Sequence, residues 1–194
     1  MNSSLLKRGL YLEYATLAWN VIGSGIIIAA AYLAGSVALA GFGIDSLIEI
    51  FASVVVVWQL RGAGKAREHQ ALRLIGIAFF LLALYVLVQS VRTLIDQAHP
   101  ATSPLGMGWL AATVVVMLLL AWGKQHTGKQ LNNPVLLTES RVTLVDAYLA
   151  ASVLVGVALN ALLGWWWADP LAGLVIVYYG IREGLHAYRE SSGE

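Results

Sequence analysis

Two carboxylate side chains lie inside an apolar stretch of the sequence, GFGIDSLIEI at residues 41–50. Asp45 and Glu49 are four residues apart, so a helix would place both on one face. Charged side chains within such a segment are costly, and like charges at this spacing repel each other. Protonation relieves the repulsion, and so does a cation held between the two groups. A pair of acids that alternates between these states has the minimal chemistry for exchanging protons and metal ions.

Further polar residues lie in other apolar stretches. Asp146 lies in VTLVDAYLAAS, and Glu139 precedes it by seven residues, about two helical turns on the same face. Asn20 is at a similar depth in the first stretch, where it could ligate an ion or make a helix–helix hydrogen bond. Glu13 is expected at the approach to the site rather than in it. An ion pair with Arg141 could make Glu139 purely structural.

The composition indicates that these acids lie in a membrane. Of 194 residues, 59% are hydrophobic and 12% are charged, with a mean hydropathy of +0.73. A soluble domain is nearer half apolar and a quarter charged. Cysteine is absent, which excludes disulfides and thiolate metal sites, so that a metal site must use oxygen or imidazole ligands. The net charge of +1 gives no sign of nucleic-acid binding.

Several apolar stretches are long enough to cross a bilayer as helices, which need about 20 residues. Six spans are predicted, at residues 11–33, 37–60, 72–95, 106–123, 134–163 and 168–188. Breaks are expected at Ala34-Gly35-Ser36, RGAGKAREHQ, HPATSPLG, GKQHTGKQLNNP and Gly164. Pro134 and Pro170 suit the first turns of the fifth and sixth helices. The first span is too long for a signal peptide's apolar region of about 7–15 residues. We predict one transmembrane domain over residues 1–194 and no soluble domain.

Basic residues alternate between the connections. Those at both termini and in the second and fourth connections are Lys7, Arg8, Arg61, Lys65, Arg67, Arg73, Lys124, Lys129, Arg182 and Arg189. The other connections offer only Arg92. Because cytosolic loops carry the excess of lysine and arginine, both termini are predicted in the cytosol. We expect an integral protein of a bacterial inner (plasma) membrane, with His69 and His126 as solvated loop residues.

These features together resemble the cation diffusion facilitator family, proton-coupled exporters of divalent transition metals. AGSVALAGFGIDSLIEI looks like the second span of that family, with Asp45 and Glu49 as its acidic pair. VTLVDAYLAASVLVGVALN looks like the fifth span, with Asp146 at the final position of its motif. WWWADPLAGLVIVYYG looks like the start of the sixth span. The resemblance covers essentially the whole chain and implies an all-α bundle of six transmembrane helices.

Two departures from the family pattern matter. Val142 stands where the fifth span would supply its other ligand, so the usual set of four ligands is one short. Asn20, Thr143, water or a carboxylate that binds through both oxygens could complete it. We also expect the chain to lack the cytosolic C-terminal domain that members of that family usually carry. The resemblance therefore implies a minimal member whose homodimer is made by the transmembrane helices.

The resemblance implies a secondary transporter that exports a divalent cation in exchange for protons, with no cofactor and no enzymatic activity. The expected metal ligands are Asp45, Glu49 and Asp146, with Asn20, Glu139 and Thr143 as further candidates. Zn²⁺ is the first choice from the family, although an oxygen-rich site without imidazole favours harder ions such as Mn²⁺ or Fe²⁺. Cd²⁺ and Co²⁺ remain open.

Two alternative functions follow from the same residues. A proton-coupled exporter of small organic cations would also use buried carboxylates, beside an aromatic cage. Trp19 and Tyr148 could contribute to such a cage. A non-transporting, metal-binding membrane subunit is the second alternative, and proton movement that depends on metal would distinguish it from a transporter.

Overall fold

A computed structural model describes residues 3–61, 65–97 and 99–192. Its elements are α1 (Ser3–Ala34), α2 (Val37–Arg61), α3 (Lys65–Asp96), α4 (Pro104–Leu131), α5 (Pro134–Leu163) and α6 (Ala168–Ser192). The described ranges contain no strand. The prediction of an all-α chain of six helices is confirmed.

Local sequence signals set most helix ends. α1 ends before Gly35, which adopts a left-handed conformation at φ 62° that a glycine takes without strain. α5 begins at Pro134 behind Asn133, whose side chain accepts a hydrogen bond from the Leu136 N–H at 2.9 Å. It ends at Leu163, before Gly164, which has φ 68°. These predicted breaks are confirmed.

The predicted break over GKQHTGKQLNNP was wrong. α4 continues to Leu131, and only the two asparagines at 132 and 133 lie between it and α5. Lys124 and His126 therefore lie inside α4, and the Lys124 side chain is fully buried. The helix can continue because two carboxylates surround this ammonium, as described below. Asn132 then ends the helix in a left-handed conformation, with φ 50°.

The other loop histidine was also misplaced, since His69 lies on α3, where its side chain is exposed. Lys124 no longer counts among the basic residues of the predicted cytosolic connections. Basic residues are still more numerous there than in the other connections, which offer only Arg92. The orientation of the chain stays a prediction.

The outer surface has the apolar character expected of a chain surrounded by lipid. Large apolar side chains are exposed, among them Tyr32 (87%), Leu33 (79%) and Leu162 (79%). Among the described helices, α1 to α5 are long and apolar enough to cross a membrane. α6 falls outside this group, and its 25 residues include the charged residues Asp169, Arg182, Glu183, Arg189 and Glu190.

The helices form a ring in the order α1, α2, α3, α6, α5, α4, with α4 returning to α1. α2 and α5 also contact each other across the ring. Asp169 at the start of α6 fixes the start of α2, because its carboxylate accepts hydrogen bonds from the Ser36 hydroxyl and the Ala38 N–H. Through the contact between α2 and α5, the two helices that carry the predicted site acids share one buried interface.

Candidate cation site

Polar side chains from α2 and α5 meet in order along the buried contact. The Ser53 hydroxyl donates to Glu139 Oε1 at 3.2 Å, and the Thr143 hydroxyl donates to Glu49 Oε1 at 2.8 Å. In the third pair, the carboxyl groups of Asp45 and Asp146 face each other. The pairs are Ser53–Glu139, Glu49–Thr143 and Asp45–Asp146. Because residue numbers fall along α2 as they rise along α5, the two helices are antiparallel.

Asp45, Glu49 and Asp146 line one small pocket near the middle of the bundle. Each is nearly inaccessible to solvent, with 4%, 2% and 2% of its surface exposed. The remaining walls are apolar and come from Ile48, Phe79, Val142 and Val145. Val142 thus faces this pocket and supplies no ligand atom to it. The four histidines of the chain are all exposed and lie outside the pocket, so any ligand in it is oxygen.

Glu49 is held by two neighbouring donors. Asn20 Nδ2 donates to Glu49 Oε2 at 3.1 Å, and Thr143 Oγ1 donates to the other carboxylate oxygen. The Asn20 amide also donates to the Thr16 carbonyl at 3.2 Å, which fixes its orientation. Asn20 and Thr143 therefore lie against a predicted ligand, and their own ligation of an ion stays a prediction.

Asp146 has different surroundings. It faces Asp45 and Glu49, and no donor among the described residues reaches either of its oxygens. In this conformation no three acidic or histidine side chains of the described ranges are close enough to hold one metal ion together. A buried carboxylate without donors is costly unless a proton or a cation accompanies it. We therefore expect a proton or a bound cation to neutralise the Asp146 carboxylate in this pocket.

A second buried cluster lies beside this pocket and carries its own cation. Lys124 Nζ lies 3.2 Å from Glu13 Oε2 and 3.1 Å from Glu139 Oε1, and all three side chains are fully buried. The same ammonium donates to Thr143 Oγ1 at 3.0 Å. Glu139 is thus in an ion pair, but the partner is Lys124 rather than Arg141. Its predicted role as a ligand stays a prediction.

Arg141 forms its contacts elsewhere. Its guanidinium pairs with Glu190 of α6 and donates to the Thr138 hydroxyl at 2.9 Å. The guanidinium is partly exposed, so it neutralises none of the acids in the pocket.

Sequence reasoning missed the role of Lys124, although a signal was present. Lys124 lies eight residues before Asn132, and Glu139 lies seven residues after it. In two antiparallel helices joined at that turn, residues at equal distances from the turn are neighbours. Reading the Asn132-Asn133-Pro134 segment as the whole turn would have placed Lys124 against Glu139.

The aromatic residues considered for an organic-cation cage lie away from the pocket. Trp19 stacks on Trp109 with ring centroids 4.7 Å apart, and its indole donates to the Thr113 hydroxyl. Tyr148 is 46% exposed and packs beside Tyr179. Neither lines the acidic pocket, so the described geometry provides no cage there.

Comparison with known families gives a match over nearly the whole chain. The family described as the cation efflux transmembrane domain matches residues 14–194. This range includes the acids of the pocket and Lys124.

Individual curated proteins are similar at lower identity. An uncharacterised transporter of Synechocystis is 27% identical over 86% of this chain and 57% of its own length. A cadmium, cobalt and zinc/H(+)-K(+) antiporter of Bacillus subtilis is 26% identical over 60% of this chain and 37% of its own length. The magnetosome protein MamB of Magnetospira is 23% identical over 80% of this chain and 58% of its own length. These matches thus cover between 37% and 58% of the relatives' own length.

Proposed function

Because this chain belongs to the cation efflux family, we propose that it exports a divalent transition-metal cation from the cytosol in exchange for protons. The observation that carries the proposal is the pocket of Asp45, Glu49 and Asp146, in which no donor from the described residues reaches Asp146. Intramembrane acids of this kind mark paths for ions and protons. Members of the family are transporters, so the chain is an integral membrane protein and not an enzyme.

The mechanism follows from the charges. In a cytosol-facing state, the three carboxylates release protons and take up the cation. In a state open to the other side, protons reach the carboxylates again and displace the cation. Glu49 keeps a fixed orientation through Asn20 and Thr143, whereas within the described ranges no hydrogen-bond donor holds Asp146. We therefore assign Glu49 as the preset ligand and Asp146 as the group that exchanges proton for metal.

The donor atoms bear on the choice of metal. The pocket offers carboxylate oxygens and an apolar Val142 where an imidazole would increase selectivity for Zn²⁺. Oxygen sites accept Mn²⁺ and Fe²⁺ readily. Zn²⁺ stays the first candidate from the family, and the name of the Bacillus subtilis relative adds Cd²⁺ and Co²⁺.

The test is metal-driven proton flux in liposomes that contain the purified chain, with Zn²⁺, Cd²⁺, Co²⁺, Fe²⁺ and Mn²⁺ compared. The wild-type chain should move protons only when metal is present. Asp146→Asn should reduce this flux by a factor on the order of 100 or more, because it removes a ligand itself, and loss of a group that only orients a ligand already costs about 10–100-fold. It should fold normally, because it removes a buried charge. Asp96→Asn is the control, since Asp96 is exposed at the end of α3.

Other outcomes would move the assignment. Full flux in Asp146→Asn would contradict this site. No flux with any metal, from protein shown to be folded, would favour an organic-cation exporter or a non-transporting metal-binding subunit. The homodimer through transmembrane helices also stays a prediction, which crosslinking of the reconstituted protein would test.

A further inference from the structure

The Lys124 ammonium occupies a position that has the chemistry of a cation site. Its neighbours are carboxylate oxygens of Glu13 and Glu139 and the hydroxyl of Thr143, at 3.0–3.2 Å. Ser53 contributes a second hydroxyl, which donates to Glu139. Oxygen donors of these types suit Mg²⁺, Ca²⁺ and Mn²⁺. The ammonium is therefore surrounded as a bound cation would be.

The cluster has more negative charge than its lysine needs. Two carboxylates accompany one ammonium, which leaves a net charge of −1 when all three groups are ionised. The Oε2 atom of Glu139 is buried and accepts no hydrogen bond among the described residues. A buried ion pair that served only the fold would need one carboxylate with its remaining oxygens satisfied. The surplus charge and the unused oxygen both indicate capacity for a cation.

The cluster lies between the deep pocket and the predicted cytosolic side. Glu139 precedes Asp146 by seven residues on α5, which corresponds to about 10 Å along the helix. It is also nearer the start of α5, while Lys124 is near the end of α4. Both of those helix ends are on the side that the basic residues predict to be cytosolic. Thr143 connects the two regions, because it accepts from Lys124 and donates to Glu49.

We infer that Glu13 and Glu139 form a second cation site on the cytosolic side of the pocket, and that Lys124 is the tethered cation that occupies it in this conformation. A divalent ion that arrives from the cytosol takes the place of the ammonium before it passes to Asp45 and Asp146. This place in transport rests on the proposed function. The existence of the site does not.

The experiment isolates the second site by removing the first. In a chain that carries Asp45→Asn, Glu49→Gln and Asp146→Asn, Mn²⁺ binding is measured by electron paramagnetic resonance in detergent. Adding Lys124→Met should produce one Mn²⁺ site per chain. We expect Mn²⁺ to bind this variant more tightly than the same chain with Lys124 in place, by a factor on the order of 10 or more. The reason is that the tethered ammonium competes with Mn²⁺ at a millimolar or higher effective concentration. Lys124→Gln is the second variant, since its amide can still donate to the carboxylates.

Adding Glu13→Gln to the Lys124→Met chain is the matched control. It leaves a single carboxylate, so the new Mn²⁺ site should disappear. Folding of Lys124→Met that requires Mn²⁺ would also support the inference, because the ion would then replace the ammonium. The inference is overturned if neither lysine variant binds Mn²⁺, if binding survives Glu13→Gln, or if both variants stay unfolded with Mn²⁺ present.

These results are separate from the transport assay. Mn²⁺ binding is measured without the three acids of the deep pocket, so failure of the proposed export would leave the result intact. Conversely, loss of flux in Asp146→Asn together with no Mn²⁺ site in the lysine variants would reject the second site alone.

Discussion

The two acidic clusters beside the contact between α2 and α5 are both buried and differ in one component. Glu13 and Glu139 share the ammonium of Lys124, whereas no donor in the part of the chain that the structure describes reaches Asp146 beside Asp45. The first cluster is compensated in part by the protein itself, because the ammonium offsets one of its two carboxylates. The second needs a proton or an ion from outside. Burial of acids in a membrane protein thus does not identify a transport site by itself, and the missing counter-charge is the more informative feature.

Removing Lys124 should have the largest effect on this comparison. Lys124→Met leaves two buried carboxylates without a counter-charge, and breaking a buried ion pair in this way costs about 3–5 kcal/mol. Its unfolding in detergent, without added metal, should shift accordingly. The combination Glu13→Gln, Lys124→Met and Glu139→Gln should recover most of the stability. A Lys124→Met chain as stable as wild type would show that the ammonium does not compensate these acids.

Thr143 tests whether the two clusters are connected. Thr143→Val keeps the shape of the side chain but loses the hydrogen bonds to Lys124 and Glu49. Metal affinity at the pocket should fall by about 10-fold, the lower end of the cost of losing a group that orients a ligand. Thr143→Ser should restore it, because the hydroxyl remains. Isothermal titration calorimetry measures the Zn²⁺ affinity of both variants. Equal Zn²⁺ affinities of Thr143→Val and Thr143→Ser would show that the hydroxyl does not connect the two clusters.

Val142 offers a way to change the chemistry of the uncompensated pocket. Val142→His adds an imidazole to the wall of this pocket, and zinc favours nitrogen ligands. Zn²⁺ affinity should rise on the order of 10-fold relative to Mn²⁺, which prefers oxygen. Competition titrations with both ions give this ratio. An unchanged ratio would mean that residue 142 does not reach the bound ion.

Asp169 is a third kind of buried acid, and its substitution should have the smallest of these effects. Its carboxylate accepts hydrogen bonds from Ser36 and from the Ala38 N–H at the start of α2. Asp169→Asn should lower stability by about 1 kcal/mol, the typical cost of weakening a helix cap. Metal-driven proton flux should stay at the wild-type level. A large loss of flux with normal folding would place Asp169 in transport instead.

Much of this protein was determined by the sequence alone, because the relevant signals are local. Gly35, Pro134 and Gly164 set helix ends through their own backbone preferences. Asp45, Glu49 and Asp146 were recognisable because acids within a long apolar run have few structural explanations. The match to the cation efflux family confirms the class that these signals predicted.

The tertiary structure alone decided which acids are compensated. GKQHTGKQLNNP has the composition of a loop, yet α4 continues through most of it because Glu13 and Glu139 meet Lys124 inside the bundle. The same holds for Asn20 and Glu49, which are 29 residues apart. These contacts depend on the register between helices that are distant in sequence. A local pattern contains no information on that register, whereas the energy of a buried charge depends on it almost entirely.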